Sequence, residues 1–219
     1  MTSTAKKPYV GLGMEGFIAR WYAKNTGKDL TEIQKLAAGL AAALPGGDVL
    51  EVAPGPGYLA IELAKRGLRV TGLDISHTFV ALAAEDARKA GVEVAFHHGN
   101  AAGMPFHAES FDLTVCRAAF KNFTEPVQAL CEMHRVLRPG GRALIYDLRP
   151  DASKADIEAA IRDMKMGWWS RLMTRWTFRH MLLKRAWPRA ELERMARETP
   201  FGGCTIKEEG IGYEVTLVK

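Results

Sequence analysis

A chain of 219 residues, 47% hydrophobic and 25% charged, has room for one α/β domain with a small appendage, and this balance excludes an intrinsically disordered protein. The formal net charge of +5 keeps an acidic partner in view, although the excess is modest and much of it gathers in one late stretch. Cys116, Cys131 and Cys204 form no Cys-x-x-Cys pair and argue against a secreted disulfide framework; with no signal-like N-terminal run and no apolar stretch able to span a bilayer, a cytoplasmic protein is expected.

Met1 to Lys7 is small, polar and basic and reads as a loose tail. From Gly16 to Lys24 the apolar positions Phe17, Ile18, Trp21 and Tyr22 can share one helical face, and a second helix over Thr31 to Leu44 stops at Pro45-Gly46-Gly47. Strands and helices then alternate: strand Val49–Ala53, helix Tyr58–Lys65, strand Arg69–Asp74, helix His77–Ala90, strands Glu93–His97 and Phe111–Cys116, helix Glu125–Leu137, strand Arg142–Asp147. Such alternation predicts a parallel sheet with helices on both faces. Helical patterns return over Lys154 to Arg185, broken near Gly167, and over Arg189 to Glu198, before Cys204–Glu209 and Tyr213–Val218 close the chain as a hairpin.

The stretch Val49 to Leu63, VLEVAPGPGYLAIEL, organises the rest: a buried strand, a tight turn and a helix. Glu51 is a lone acid in that strand and requires a reason, while Gly55 and Gly57 let backbone approach a ligand closely. The spacing Gly55, Gly57, Ala60, with Asp74 following, also satisfies a loose dinucleotide fingerprint. Pro54 and Pro56, however, lack the N–H groups a pyrophosphate cradle uses, and Glu51 suits a cationic ligand group, so a ligand without phosphate is favoured.

Five stretches in order carry a more specific signal: VLEVAPGPG, then VTGLDIS at Val70 to Ser76, HHGNAAGMPF at His97 to Phe106, FDLTVCRAAFKNF at Phe111 to Phe123 and EMHRVLRPGGRALIYD at Glu132 to Asp147. Together they resemble the motifs of class I S-adenosylmethionine-dependent methyltransferases, in particular the quinone-biosynthesis and other small-molecule branch, over roughly residues 45 to 150. The resemblance implies a Rossmann-like doubly wound seven-stranded sheet, mostly parallel with an antiparallel C-terminal strand. It also implies a single domain over 1–219, with lid helices over about 8–44 and a helical cap over about 151–199.

By the same resemblance the cofactor is S-adenosyl-L-methionine. Glu51, Ala53, Gly55 and Gly57 face its amino-acid part, with Ala53 where the family often has glycine. Asp74 accepts both ribose hydroxyls, or alternatively serves only as an anion before the helix at His77. Ile75 presses on the adenine, Asn100 replaces the family's usual Asp and accepts from the adenine amino group beside Ala101, and Cys116 and Arg117 line the space near the reacting methyl. No metal site is expected, because His97, His98 and His107 have no ligand spacing.

The acceptor is expected to be a small, aromatic or apolar molecule, with a membrane-associated quinone or lipid precursor as the runner-up and a non-catalytic cofactor-binding protein as a third reading. Tyr9, Trp21 and Tyr22 are lid candidates for the substrate side, or simply core aromatics. In Met164 to Arg185, Trp168, Leu172 and Trp176 recur at four-residue steps beside Trp169, with Arg171, Arg175 and Arg179 as a basic stripe. Three readings stand: packing onto the sheet, lining an acceptor pocket, or resting on anionic lipid. His180 is the candidate base should the acceptor need to lose a proton. Nucleic acid is disfavoured, since Cys116-Arg117-Ala118-Ala119 lacks the Asn/Asp-Pro-Pro-aromatic signature of base-methylating enzymes.

Overall fold

The computed structural model describes residues 14–26, 30–163 and 183–219. Its elements are α1 (Gly16–Thr26), α2 (Thr31–Ala43), β1 (Asp48–Val52), α3 (Tyr58–Ala64), β2 (Arg69–Asp74), α4 (His77–Lys89), β3 (Val94–His98), β4 (Phe111–Arg117), α5 (Pro126–Val136), β5 (Leu137–Leu148), α6 (Lys154–Asp163), α7 (Arg189–Arg197), β6 (Thr205–Glu209) and β7 (Gly212–Val218). One seven-stranded sheet runs in the order β3-β2-β1-β4-β5-β7-β6. Strands β1 to β5 pair in parallel, while β7 runs antiparallel to both β5 and β6. The strand order reverses between β1 and β4, so a crevice opens beyond their carboxyl ends, where parallel sheets bind ligands.

Period-two alternation assigns each strand residue to one of two cores. Val49, Val70, Leu113 and Leu144 face α2 and α3, packing on Ile33, Leu40, Leu59 and Leu63. Leu50, Val52, Cys116, Ile145 and Val215 face the other way, onto Leu130 and Met133 of α5 and Leu192 and Met195 of α7. Glu51 shares the α2/α3 side with Val49, which places its carboxyl under the first turn of α3.

The expected helix Glu125–Leu137 ends one residue early, at Val136, and β5 begins at Leu137, so Pro139-Gly140-Gly141 lies inside the strand. Leu137 already pairs with Phe111, and the register then jumps to Leu113 opposite Arg142. Gly140, at φ 78°, absorbs this irregularity. Its N–H donates to the Lys219 carbonyl (2.9 Å), and the Lys219 N–H donates to Gly141 (3.0 Å), so β7 closes the gap. Of the expected cap, α6 and the 3-10 turn Leu183–Arg185 are seen, while Trp168, Trp169, Trp176, His180 and the arginine stripe lie outside the described residues, as does Tyr9. Among the described residues no helix is long and apolar enough to cross a membrane.

Candidate active site

A cavity of about 460 Å³ occupies the crevice beyond β1, β2 and β4, within the ~300–1,000 Å³ range of small-molecule sites. Its floor is the turn after β1. Ala53 continues the sheet by donating to the Leu73 carbonyl (2.8 Å), and Gly57 donates to the Pro54 carbonyl (3.0 Å), closing the turn into α3. Gly55 donates to Oδ2 of Asp74 (2.9 Å). Pro54 and Pro56 have no N–H to give, so every donor in the Pro54–Gly57 turn is absent or already engaged.

Two acids border this floor. Glu51 is 3% exposed. Burial pushes its carboxyl up to about 8, against the opposing pull of the Ala60 N–H and the Arg117 guanidinium, while nearby Asp74 adds to the rise. Its Oε2 has no hydrogen-bond partner among the described residues. Asp74, also buried, accepts from Gly55 at one oxygen and from the Ser76 N–H at the other (2.8 Å). Burial raises its pKa, and those N–H groups oppose the rise. A ligand without a hydrogen-bond donor leaves the buried Oε2 of Glu51 unsatisfied, whereas a cationic donor both satisfies it and favours the ionised carboxyl.

The roof comes from the chain's beginning. The Glu15 carboxylate accepts from the N–H groups of His77 (2.9 Å) and Thr78 (3.1 Å) and from the Thr78 hydroxyl (2.5 Å), occupying the N-terminus of α4. Ser76, the N-cap of α4, accepts from Phe79 (3.0 Å) and donates to the Met14 carbonyl (2.5 Å). The Tyr58 hydroxyl donates to the Ala23 carbonyl (2.6 Å). This clasp sets Tyr22 against Phe79, ring centroids 6.0 Å apart at 67°, and both rings line the cavity.

The wall beyond β4 is held by a buried ion pair. Lys121 Nζ lies 2.8 Å from Oδ1 of Asp147, their side chains 6% and 11% exposed, and also donates to the Ala118 carbonyl (2.6 Å). Ala118 has φ 58°, a left-handed conformation costing a non-glycine residue about 1–2 kcal/mol. The pair thus fixes the turn that presents Ala118, Ala119, Asn122 and Phe123 to the cavity.

Of the residues expected at the cofactor, Glu51, Ala53, Gly55, Asp74, Ile75, Asn100, Ala101 and Arg117 line this cavity. Gly57 and Cys116 do not. A Cβ on Gly57, at φ 79°, would stand 2.8 Å from Ala83 Cβ and 2.9 Å from Phe96 Cζ, so its glycine serves helix and strand packing rather than ligand approach. Cys116 is wholly buried on the α5/α7 side, one residue out of phase with the crevice, and burial pushes its thiol far up. Tyr22 lines the cavity but Trp21 does not; it is 59% exposed because Ala19, Tyr22 and Ala23 take the inward face of α1. Met14, Glu15, Ser76, Phe79 and Asn122 line it unanticipated. Ser76 at the start of a helical pattern is a readable cap signal, whereas nothing local marks Glu15. Among the described residues no histidine lines the cavity.

Residues 50–145 match the family described as methyltransferase domain. The chain is 38% identical over 107 residues to a demethylmenaquinone methyltransferase of Deinococcus radiodurans, covering 48% of this chain and 44% of that protein. It is 35% identical over 127 residues to the ubiquinone/menaquinone biosynthesis C-methyltransferase UbiE of Rhizobium meliloti, covering 56% and 47%. The chain therefore spans about half the length of these curated relatives. A SAM dependent methyltransferase from Aquifex aeolicus shares the fold at TM-score 0.63 and 18% identity, over 87% of this chain and 98% of that one. Residues 50–145 thus match a methyltransferase domain, and the sheet order and the structural likeness show that the chain has the fold of S-adenosylmethionine-dependent methyltransferases. The two sequence relatives named above are methyltransferases of quinone biosynthesis.

Proposed function

We propose that the chain transfers the methyl group of S-adenosylmethionine to a small apolar acceptor of the quinone-precursor type, in the cytoplasm. The observation that carries this reading is the turn after β1: with no free N–H between Pro54 and Gly57 the crevice offers a pyrophosphate no donors, and the buried Glu51 beside it suits a cationic nucleoside that favours its ionised form. Glu51 would meet the ammonium of the amino-acid part, Asp74 would accept the ribose hydroxyls with the lone pairs left by Gly55 and Ser76, and Ile75, Asn100 and Ala101 would hold the adenine. When bound, the cofactor supplies an already activated methyl on a sulfonium.

The protein's own work is then alignment and exclusion of water, worth roughly 7–11 kcal/mol in favourable cases. Tyr22 and Phe79 cover one side of the cavity, and Arg117, Asn122 and Phe123 bound the side left for an acceptor. The activities for which the relatives are named, demethylmenaquinone methyltransferase and ubiquinone/menaquinone biosynthesis C-methyltransferase, support an aromatic quinol-type acceptor. Tyr9, Trp168, Trp169 and Trp176 belong to the acceptor side in this reading, and His180 takes the acceptor's proton. Calorimetry with S-adenosylmethionine and S-adenosylhomocysteine, followed by product formation over a panel headed by demethylated naphthoquinols and benzoquinols, tests the proposal. Binding of a nicotinamide dinucleotide in place of the sulfonium would overturn it, and binding without turnover on any acceptor would favour a non-catalytic role.

A further inference from the structure

Helix α1 has two unlike faces. At about 100° per residue, Ala19, Tyr22 and Ala23 point inward: Ala19 is fully buried, Tyr22 meets Phe79, and the Ala23 carbonyl accepts from Tyr58. The i, i+3, i+4, i+7 positions opposite are Phe17, Arg20, Trp21 and Lys24. Phe17 is 80% exposed and Trp21 59%, with Ile18 flanking at 38%. Single exposed apolar side chains are ordinary, but three within five residues of one helix are not.

The charge on this face has one sign. Helix α1 contains no Asp or Glu. Glu15, just before it, turns its carboxylate to the N-terminus of α4. Arg20 and Lys24 are exposed and enter no ion pair among the described residues. Large aromatics interleaved with cations make a helix that lies in a headgroup layer, the rings buried at the acyl boundary and the cations among anionic headgroups. A second copy of the chain fits poorly, because like-charged faces repel. Moreover, an 11-residue helix, about 16 Å long, offers far less than the ~800 Å² per partner of a stable interface.

We propose that α1 docks the protein on anionic lipid through Phe17, Arg20, Trp21 and Lys24. The same helix carries Tyr22 into the cavity, so docking brings the cavity's roof to the bilayer surface; that this serves an acceptor dissolved in the bilayer rests on the function proposed above, whereas docking itself does not.

Flotation of the full chain with vesicles of phosphatidylcholine alone, and of phosphatidylcholine mixed with phosphatidylglycerol, tests the proposal. Binding is expected only to the mixed vesicles, weakened by salt, and reduced about tenfold or more both in Phe17→Ser/Trp21→Ser and in Arg20→Glu/Lys24→Glu. The second variant alters only exposed cations and so serves even should the first fold poorly. Cofactor affinity by calorimetry is expected to be unchanged in both. The proposal is overturned by absence of vesicle binding, by equal binding to neutral vesicles, by binding that survives both variants and disappears only on replacing Arg171, Arg175 and Arg179, or by sedimentation velocity showing a dimer that the α1 variants dissolve. Vesicle binding without cofactor binding would refute the proposed function and leave the docking surface standing; the converse would refute docking alone.

Discussion

Replacing Glu51 with glutamine tests the electrostatics of the crevice at their source. The wild-type carboxyl has an ordinary value of 4.5 and is pushed up to about 8 in the folded protein by burial, with Asp74 adding to the rise and Arg117 and the Ala60 N–H opposing it. Between these values the folded state holds a proton that the unfolded chain has released. Stability is therefore fully present below pH ~4.5 and falls as pH rises through ~8. Across that range the proton linkage amounts to a loss on the order of a few kcal/mol. Glu51→Gln keeps the shape and removes the titration, so the ligand-free variant should gain on wild type by a few kcal/mol between pH 6 and 9.

Denaturant unfolding of ligand-free protein at several pH values measures that difference, while cofactor calorimetry should show the opposite sign. Wild-type affinity should tighten several-fold from pH 7 to 8 as Glu51 ionises toward a cationic ligand. The variant should lose that dependence and about 1.5–3 kcal/mol of binding at pH 8, the scale of a hydrogen bond to a charged group. Parallel stability–pH curves for wild type and variant would refute a buried, protonated Glu51.

Asp74→Ala should weaken cofactor binding by about 1–3 kcal/mol in the same calorimetry, and unchanged affinity would return Asp74 to a purely local anchor for Gly55 and Ser76. Lys121→Met leaves Asp147 buried without its ion, and should lower unfolding free energy by about 3–5 kcal/mol, whereas a loss within experimental error would show that the pair does not hold the Ala118 turn. Gly57→Ala combines a positive φ with contacts of 2.8 and 2.9 Å to Ala83 and Phe96, and should cost about 1–3 kcal/mol in the same assay. That penalty should fall on the fold, so cofactor affinity of the remaining native protein should stay near wild type.

The β1-turn-α3 unit, Asp74 and most element bounds are legible in the sequence because each is written locally: apolar runs between glycine and proline for inner strands, and a cap residue before α4. What is not legible depends on partners far along the chain. Glu15 reaches His77 and Thr78 across 62 and 63 positions, and no periodicity encodes that. Among Phe17, Ile18, Trp21 and Tyr22 the sequence shows a helical apolar face but not that small Ala19 and Ala23 claim the inside, which turns Trp21 outward. Cys116 and Arg117 are neighbours in sequence, yet alternation sends one into the far core and leaves the other at the crevice. Gly57 reads as a ligand-facing glycine because contact with Phe96 of β3 is invisible before the sheet is assembled.

The contacts from Met14 and Glu15 end on Ser76 and Thr78, two and four residues past Asp74. Whatever engages that aspartate and whatever fastens the roof therefore act on one short piece of backbone, so the two are expected to be energetically coupled. Under the function proposed above, loosening the first helix is therefore expected to weaken the hold on the nucleoside as well.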